Sequence, residues 1–339
     1  MTCMLEECLA APAAVARQLA ADHKAYAALG AALRAQPPSA LLTVARGSSD
    51  HAAQYFAYLV MARMGRLVTS LPMSLVTLYQ SKIACEGLVS LAFSQSGQSP
   101  DLVAPTKFFR EGGARTVAFV NAPDSPLAAA AQFVFPLHAG PEQSVAATKS
   151  YIAQLVAGAR VVAAWSEDDD LQAALQTLPQ ALQRAAALRW DVAVDALKNA
   201  DRLFVIGRGL GLPIALEAAL KFKETCGIQA EAFSGAEVKH GPMALVEAGY
   251  PLLVFAPRGP AQAGLLALAE EMRGRGARVL LAAPAGTPGA ELELATTGSE
   301  DLDPIAAVQS FYPMVEALAR SRGLNPDQPR HLAKVTKTH

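Results

Sequence analysis

Two short hydroxyl-rich stretches of this 339-residue sequence have the composition of an anion cradle. Arg46-Gly47-Ser48-Ser49 follows an apolar run and precedes a helical pattern opening near Asp50-His51, and Ser94-Gln95-Ser96-Gly97-Gln98-Ser99 follows a second apolar run. At a strand-to-helix junction, backbone N–H groups and the positive end of the helix dipole face the same point, and small hydroxyl side chains let an anion approach. Two such loops together suit a compact phosphate monoester, although each alone also reads as ordinary polar turn chemistry. Neither contains the Gly-Lys-Ser/Thr of a nucleotide loop or the spacing of a dinucleotide fingerprint.

A second kind of chemistry is suggested further on. After Gly209-Leu210-Gly211-Leu212-Pro213, where Pro213 suits a first helical turn, Glu217, Lys221 and Glu224 stand at i, i+4 and i+7 on one helix face. Their neighbours Leu216, Ala218, Ala219, Leu220 and Phe222 are apolar, so the helix is expected to be buried. The charges then form either an internal ion pair or a working site, the alternative being a surface pair. Glu237-Val238-Lys239-His240-Gly241-Pro242 offers a histidine able to move protons near neutral pH, and also reads simply as a turn. The tail Asn325–Lys334 has two prolines and, by composition, the look of a frayed terminus.

The elements that must position these residues follow from hydrophobic periodicity. Short β-rich runs alternate with Ala/Leu-rich helical segments, which predicts α/β architecture with parallel sheets covered on both faces. The expected strands are Ala40–Ala45, Val89–Phe93, Thr116–Val120 and Phe133–Leu137, then Leu203–Ile206, Leu252–Ala256, Arg278–Ala282 and Leu292–Ala295. Arg46-Gly47 matches Arg208-Gly209, Phe93 matches Phe255 and Gly97 matches Gly259, all at one offset, which predicts a duplicated domain. The plan is N-terminal helices over 1–36, a first domain over 37–165, linker helices over 166–199, a second domain over 200–320 and a tail over 321–339. Ser166 with the acidic run Glu167–Asp170 is read as the start of the linker helices, a solvated cap rather than a metal site.

Composition excludes several classes. With 52% hydrophobic and 17% charged residues the chain is too apolar for extended disorder, and its net charge of -1 gives no basic excess for nucleic acid or anionic lipid. The opening MTCMLEECLA carries acids where a secretory signal carries bases, and the apolar stretch Tyr151–Trp165 is interrupted by Arg160, so no membrane span is expected. Cys3, Cys8, Cys85 and Cys226 fit neither a zinc spacing nor a redox pair; they read as reduced thiols of a cytoplasmic protein, with no metal or other cofactor.

Taken together these segments resemble the sugar isomerase (SIS) domain pair of glucosamine-6-phosphate synthases over nearly the whole chain. The resemblance rests on Gly47–Ser49, Ser94–Ser99, Leu216–Glu224, Glu237–Pro242 and Asp327–Lys334. It implies two tandem doubly wound, flavodoxin- or Rossmann-like domains. It further implies that Arg46, Gly47, Ser48, Ser49, Ser94, Gln95, Ser96 and Ser99 hold a phosphate, and that Val145, Ala147 and Ala333 line the sugar site. Glu224 would carry the proton between C1 and C2, with Glu217 and Lys221 positioning it, and Lys334 would bind the carbonyl. His240 would open the sugar ring in the neighbouring subunit's site, which implies a homodimer.

In the synthases a glutaminase domain with an N-terminal cysteine precedes the sugar domains. Here the first expected strand opens at Ala40 and Cys3 follows Met-Thr, so glutamine hydrolysis is not expected. With Arg46 where the synthases usually carry cysteine, the chain looks like the second type of glucosamine-6-phosphate deaminase, releasing ammonia and fructose 6-phosphate. Galactosamine-6-phosphate deaminases, fructosamine-6-phosphate deglycases, an ammonia-dependent synthase and a non-catalytic sugar-phosphate regulator share these features.

Overall fold

The computed structural model describes residues 1–334, which form two five-stranded, wholly parallel sheets. The first contains β1 (Ala40–Val44), β2 (Val68–Ser70), β3 (Leu88–Ser94), β4 (Arg115–Val120) and β5 (Phe133–Pro136), in the order β2-β1-β3-β4-β5. The second contains β6 (Arg202–Gly207), β7 (Gln229–Ser234), β8 (Pro251–Phe255), β9 (Arg278–Pro284) and β10 (Leu292–Leu294), in the order β10-β9-β8-β6-β7. Read from the opposite edge, the second order repeats the first. Each is the 2-1-3-4-5 arrangement of a flavodoxin-like sheet, whose direction of winding reverses between its first and third strands.

The central strands form because both faces are covered. All but the first residue of β3, Leu-Val-Ser-Leu-Ala-Phe-Ser, is buried, the near-continuous apolar run expected of an internal parallel strand. β2 and β7 are the elements that periodicity alone does not reveal. Both lie at sheet edges: β2 reads Val-Thr-Ser and is largely exposed, while β7 alternates Gln229 and Glu231 outward around the buried Ala230. An edge strand needs one apolar face at most, so its composition resembles a loop.

The chain divides into two compact units. Among the described residues, the first-sheet unit comprises Ala13–Glu142, Lys149–Gln176 and 333–334; the second-sheet unit comprises Met1–Pro12, Gln143–Thr148 and Thr177–Leu332. In the first-sheet unit, Tyr26, Phe135, Phe119, Phe93 and Phe56 form a continuous file of tilted rings through the core. In the second-sheet unit, Phe222 and Phe255 both meet Phe311 edge-on.

The helix Lys149–Ser166 is buried along almost its whole length in the first-sheet unit. Arg160, the charge within that apolar stretch, donates to the carbonyls of Gln18 and Ala21 at 2.5 and 2.6 Å and stacks 3.8 Å above the Tyr26 ring. The guanidinium thus satisfies the carbonyl end of the helix Ala11–Ala20, a favourable site for a cation. Among the described residues no helix is long and apolar enough to cross a membrane. The four cysteines are free thiols.

One boundary differs from the sequence reading. Ser166 closes the preceding helix, its hydroxyl donating back to the Val162 carbonyl at 2.8 Å. Asp168 caps the next helix, Asp169–Ala187, by accepting from the Leu171 N–H at 2.8 Å, and it also pairs with Arg63. A cap is set by whichever side chain reaches the exposed N–H groups, and Ser166 is already committed to a carbonyl one turn back.

The helix His23–Ala35 crosses Lys149–Ser166 so closely at Gly30 that an added Cβ would lie 2.3 Å from the Ala164 carbonyl oxygen. Gly30→Ala is expected to cost about 1–3 kcal/mol through forced separation of the helices. The thermal unfolding midpoint should fall by several degrees, whereas Gly274→Ala, with nothing within 4 Å, should leave it unchanged or slightly raised.

Candidate active site

The two serine loops leave adjacent parallel strands, β1 and β3, at the point where the winding of the first sheet reverses. Ligands of open α/β sheets bind in that crevice, beyond the carboxyl ends of the strands. Gly47 makes the first turn with φ 54°, and Ser48 and Ser49 open the helix Ser48–Met64. Arg46 reaches across to the buried Asp101 at 2.9 Å, tying this loop to the helix Pro100–Glu111, which begins just after Ser99. Two helix N-termini therefore converge on the same edge.

The second loop is held from inside. The Ser94 hydroxyl, buried, accepts from the Gly97 N–H at 2.9 Å, and the Ser96 hydroxyl accepts from the Gln98 N–H at 3.3 Å. Gly97 has φ 64°, and a Cβ there would lie 2.1 Å from the Ser125 hydroxyl, so the turn admits glycine alone. Gln95, Ser96 and Ser99 stay half-exposed, facing outward from a fixed backbone.

Asn121, which the sequence reading did not single out, joins this loop to the next. Its N–H donates to the Gln95 carbonyl at 3.2 Å. Its side chain accepts from the Ala139 N–H at 3.0 Å and donates to the Gly140 carbonyl at 2.8 Å. The loop so fixed carries Glu142, whose fully buried carboxylate accepts from the Ser150 N–H and hydroxyl and from Lys334 Nζ at 3.0, 2.5 and 3.1 Å. In the first-sheet unit, the structure therefore brings Arg46–Ser49, Ser94–Ser99 and, through Glu142, Lys334 into one hydrogen-bonded system. Ala333 is exposed beside Lys334.

Val145 and Ala147 belong to the second-sheet unit and are half-buried. Their segment is fixed by the Glu7 carboxylate and the Asp327 carbonyl, contacts that the sequence does not reveal. Glu7 accepts from the N–H groups of Gln143 and Ser144. Asp327 accepts from the N–H groups of Cys3 and Met4 at 2.9 and 2.7 Å, and its carbonyl accepts from the Val145 N–H at 3.3 Å. The Asp-Gln-Pro-Arg tail is consequently an anchored segment, not a frayed one.

Glu217, Lys221 and Glu224 lie on the helix Leu212–Cys226. Lys221 Nζ stands 3.4 Å from Glu217 and 2.5 Å from Glu224, and the Tyr312 hydroxyl donates to Glu217 at 3.1 Å. Glu217 and Lys221 are sealed, with 0% and 1% of their side-chain surface exposed, while Glu224 keeps 19%. Burial alone would lower the Lys221 pKa, but the two neighbouring carboxylates outweigh it and hold the ammonium above its ordinary value. Glu224 opens onto a groove of about 1210 Å³, also lined by Asp201, Lys223, Arg322, Asn325 and Gln328.

His240 does not share that groove. It is exposed, in the turn after β7, while Glu224 lies in the last turn of the helix that leads into β7. β7 has six residues, so about 20 Å of strand separates the two ends of that element.

The protein-family model of the SIS domain matches residues 37–164 and 196–288. A glutamine–fructose-6-phosphate aminotransferase (isomerizing) of Aeropyrum pernix is 36% identical over 98% of this chain, which spans 56% of that relative's length. The crystal structure of a candidate phosphosugar isomerase from Silicibacter pomeroyi superposes with a TM-score of 0.91 at 42% identity, covering 96% of this chain and 100% of that one. Thermotoga maritima glucosamine-6-phosphate deaminase shares the fold, with a TM-score of 0.80 at 19% identity, covering 99% of this chain and 100% of that one.

Removing the buried ammonium should expose the cost of its partners. Lys221→Met leaves Glu217 charged and sealed and is expected to lose about 3–5 kcal/mol of stability. Lys221→Met combined with Glu217→Gln should recover much of it, as read from the thermal unfolding midpoints of both proteins.

Proposed function

The chain belongs to the SIS-domain family, and from that premise we propose that it is a phosphosugar isomerase of the amino-sugar-phosphate deaminase type, converting glucosamine 6-phosphate to fructose 6-phosphate and ammonia. The observation that carries the reading is the graded exposure of the charged helix face. Of three linked charges, only Glu224 meets solvent, and it is held by an ammonium that cannot move away. That is the arrangement required of a carboxylate that must take and return a proton at a fixed point.

The reaction follows from these groups. The serine loops and the two helix N-termini bind the phosphate. Once the ring is open, the C1 aldehyde acidifies the C2 proton; Lys334 binds the carbonyl oxygen, and Glu224 removes the proton from C2 and returns it at C1. The C2 nitrogen loses one proton as the C1 oxygen gains one, leaving an imine at C2 and a hydroxyl at C1; water then adds to C2, and ammonia leaves. Ring opening needs a further acid–base group, and His240 sits at the wrong end of its own sheet to reach its own Glu224. This supports the reading that His240 of the partner subunit serves each site, in a homodimer.

Incubation of the purified protein with glucosamine 6-phosphate should release ammonia and fructose 6-phosphate in equal amounts. Glu224→Gln should lower kcat by about 10²–10⁴-fold in a protein that remains folded, as circular dichroism would show. A fully active Glu224→Gln enzyme would remove Glu224 from the reaction. Thermal stabilisation by the sugar phosphate without either product would instead favour a non-catalytic regulator. His240→Ala and Glu224→Gln proteins, each inactive, should regain part of the activity when their subunits are mixed and reassociated; no recovery in verified mixed dimers would refute sharing of His240 between subunits.

A further inference from the structure

We infer that Glu142 is a positioning residue for Lys334, holding it so that its amine stands at a fixed place on the ligand-binding edge of the first sheet. The role of Lys334 rests on the function proposed above; the clamp itself rests on geometry alone. Glu142 has no exposed side-chain surface, and Lys334 keeps 24%. The carboxylate is fixed before the lysine reaches it, because Ser150 donates to it twice, from its N–H and its hydroxyl. Those two bonds place the carboxylate at the first turn of the helix Lys149–Ser166, where the dipole favours negative charge.

The placement is functional rather than incidental. Glu142 lies in the loop after β5, and that loop is bonded through Asn121 to the loop that begins at Ser94. β5 stands two strands from β3, a lateral separation of about 10 Å. That interval is comparable to the length of an extended six-carbon sugar phosphate, from its ester to its carbonyl end. An amine on a long, flexible side chain would otherwise sample a large volume; bonded to a buried carboxylate it is held on the same rigid edge as the serines. A surface partner would give little such restraint, whereas a partner sealed from water does.

The test separates the clamp from the proposed reaction. In the full-length protein without ligand, acetylation of lysines by a limiting acylating reagent, followed by mass spectrometry, reports access to Lys334. Glu142→Gln should raise the Lys334 rate severalfold relative to the other lysines of the same protein. Ser150→Ala, which loosens the carboxylate but leaves the ion pair, should raise it little. Equal Lys334 rates in the wild type and Glu142→Gln would overturn the clamp.

With glucosamine 6-phosphate, Glu142→Gln is expected to lower kcat on the order of 10²-fold with little change in KM, the usual consequence of a misplaced group. Because Glu142 acts through Lys334, Glu142→Gln with Lys334→Ala should be no slower than Lys334→Ala alone. Multiplying losses would assign Glu142 a separate role and refute the positioning one. A wild-type protein inert towards the sugar phosphate would defeat the proposed substrate, yet the acetylation result would still decide the clamp. If Glu142→Gln does not fold, Glu142→Asp, which keeps the charge on a shorter stem, provides the same comparison.

Discussion

Parallel strands cannot be joined by a tight turn, and the rest of this structure follows from that constraint. Every connection must leave at the carboxyl edge of a strand and return to the amino edge, and most of those here do so through a helix. Helix N-termini therefore gather at one edge, and where the winding reverses two of them flank a crevice. In the first sheet that crevice lies between β1 and β3, and both bordering loops are rich in serine. In the second sheet the corresponding loop is a tight turn at Gly209–Gly211, and Arg258 beyond β8 is bound to Asp303. One scaffold, used twice, borders its crevice with serine-rich loops in one copy and not in the other.

The second copy uses the opposite end of a helix. Glu224 is in the last turn of Leu212–Cys226, where a carboxylate meets the negative end of the dipole and gains nothing from it. Lys221 supplies the missing positive charge from one turn earlier. Placing an ammonium in a sealed position is costly by itself, and Glu217, itself bonded by Tyr312, offsets that cost from the other side. The same logic recurs at Glu142, Glu7 and Asp327, each of which receives backbone N–H groups. These buried and half-buried carboxylates serve as fixed points for backbone and cations.

How much of this could be read from residues alone depends on the sequence distance of each interaction. The inner strands and the charged helix were legible because their signals are local: apolar runs in β1, β3 and β4, and spacings of four and three in Glu217, Lys221 and Glu224. The edge strands β2 and β7 were not, because half their side chains face water. The acidic run was legible as a helix start, with Asp168 as its cap, but Ser166 belongs to the helix before it, because only geometry decides whether a hydroxyl turns to a carbonyl or to a free N–H. Glu142 and Lys334 are 192 positions apart, Met4 and Asp327 323, and nothing in the composition near either partner announces the other.

The carboxyl-terminal segment shows what that distance hides. A stretch with two prolines and few apolar residues lacks the surface to order itself by burial, so composition assigns it to a frayed end. It is ordered instead by polar bonds whose partners are already rigid: the first turn of the helix Cys3–Leu9 for Asp327, and the Ser150-bound Glu142 for Lys334. Each partner is held by its own secondary structure, so little additional freedom is lost when the tail attaches, and the entropy of fixing the tail is met at folding. A lysine ordered at that stage imposes no further ordering penalty when a ligand arrives, the condition under which a long, flexible side chain can act at a defined atom.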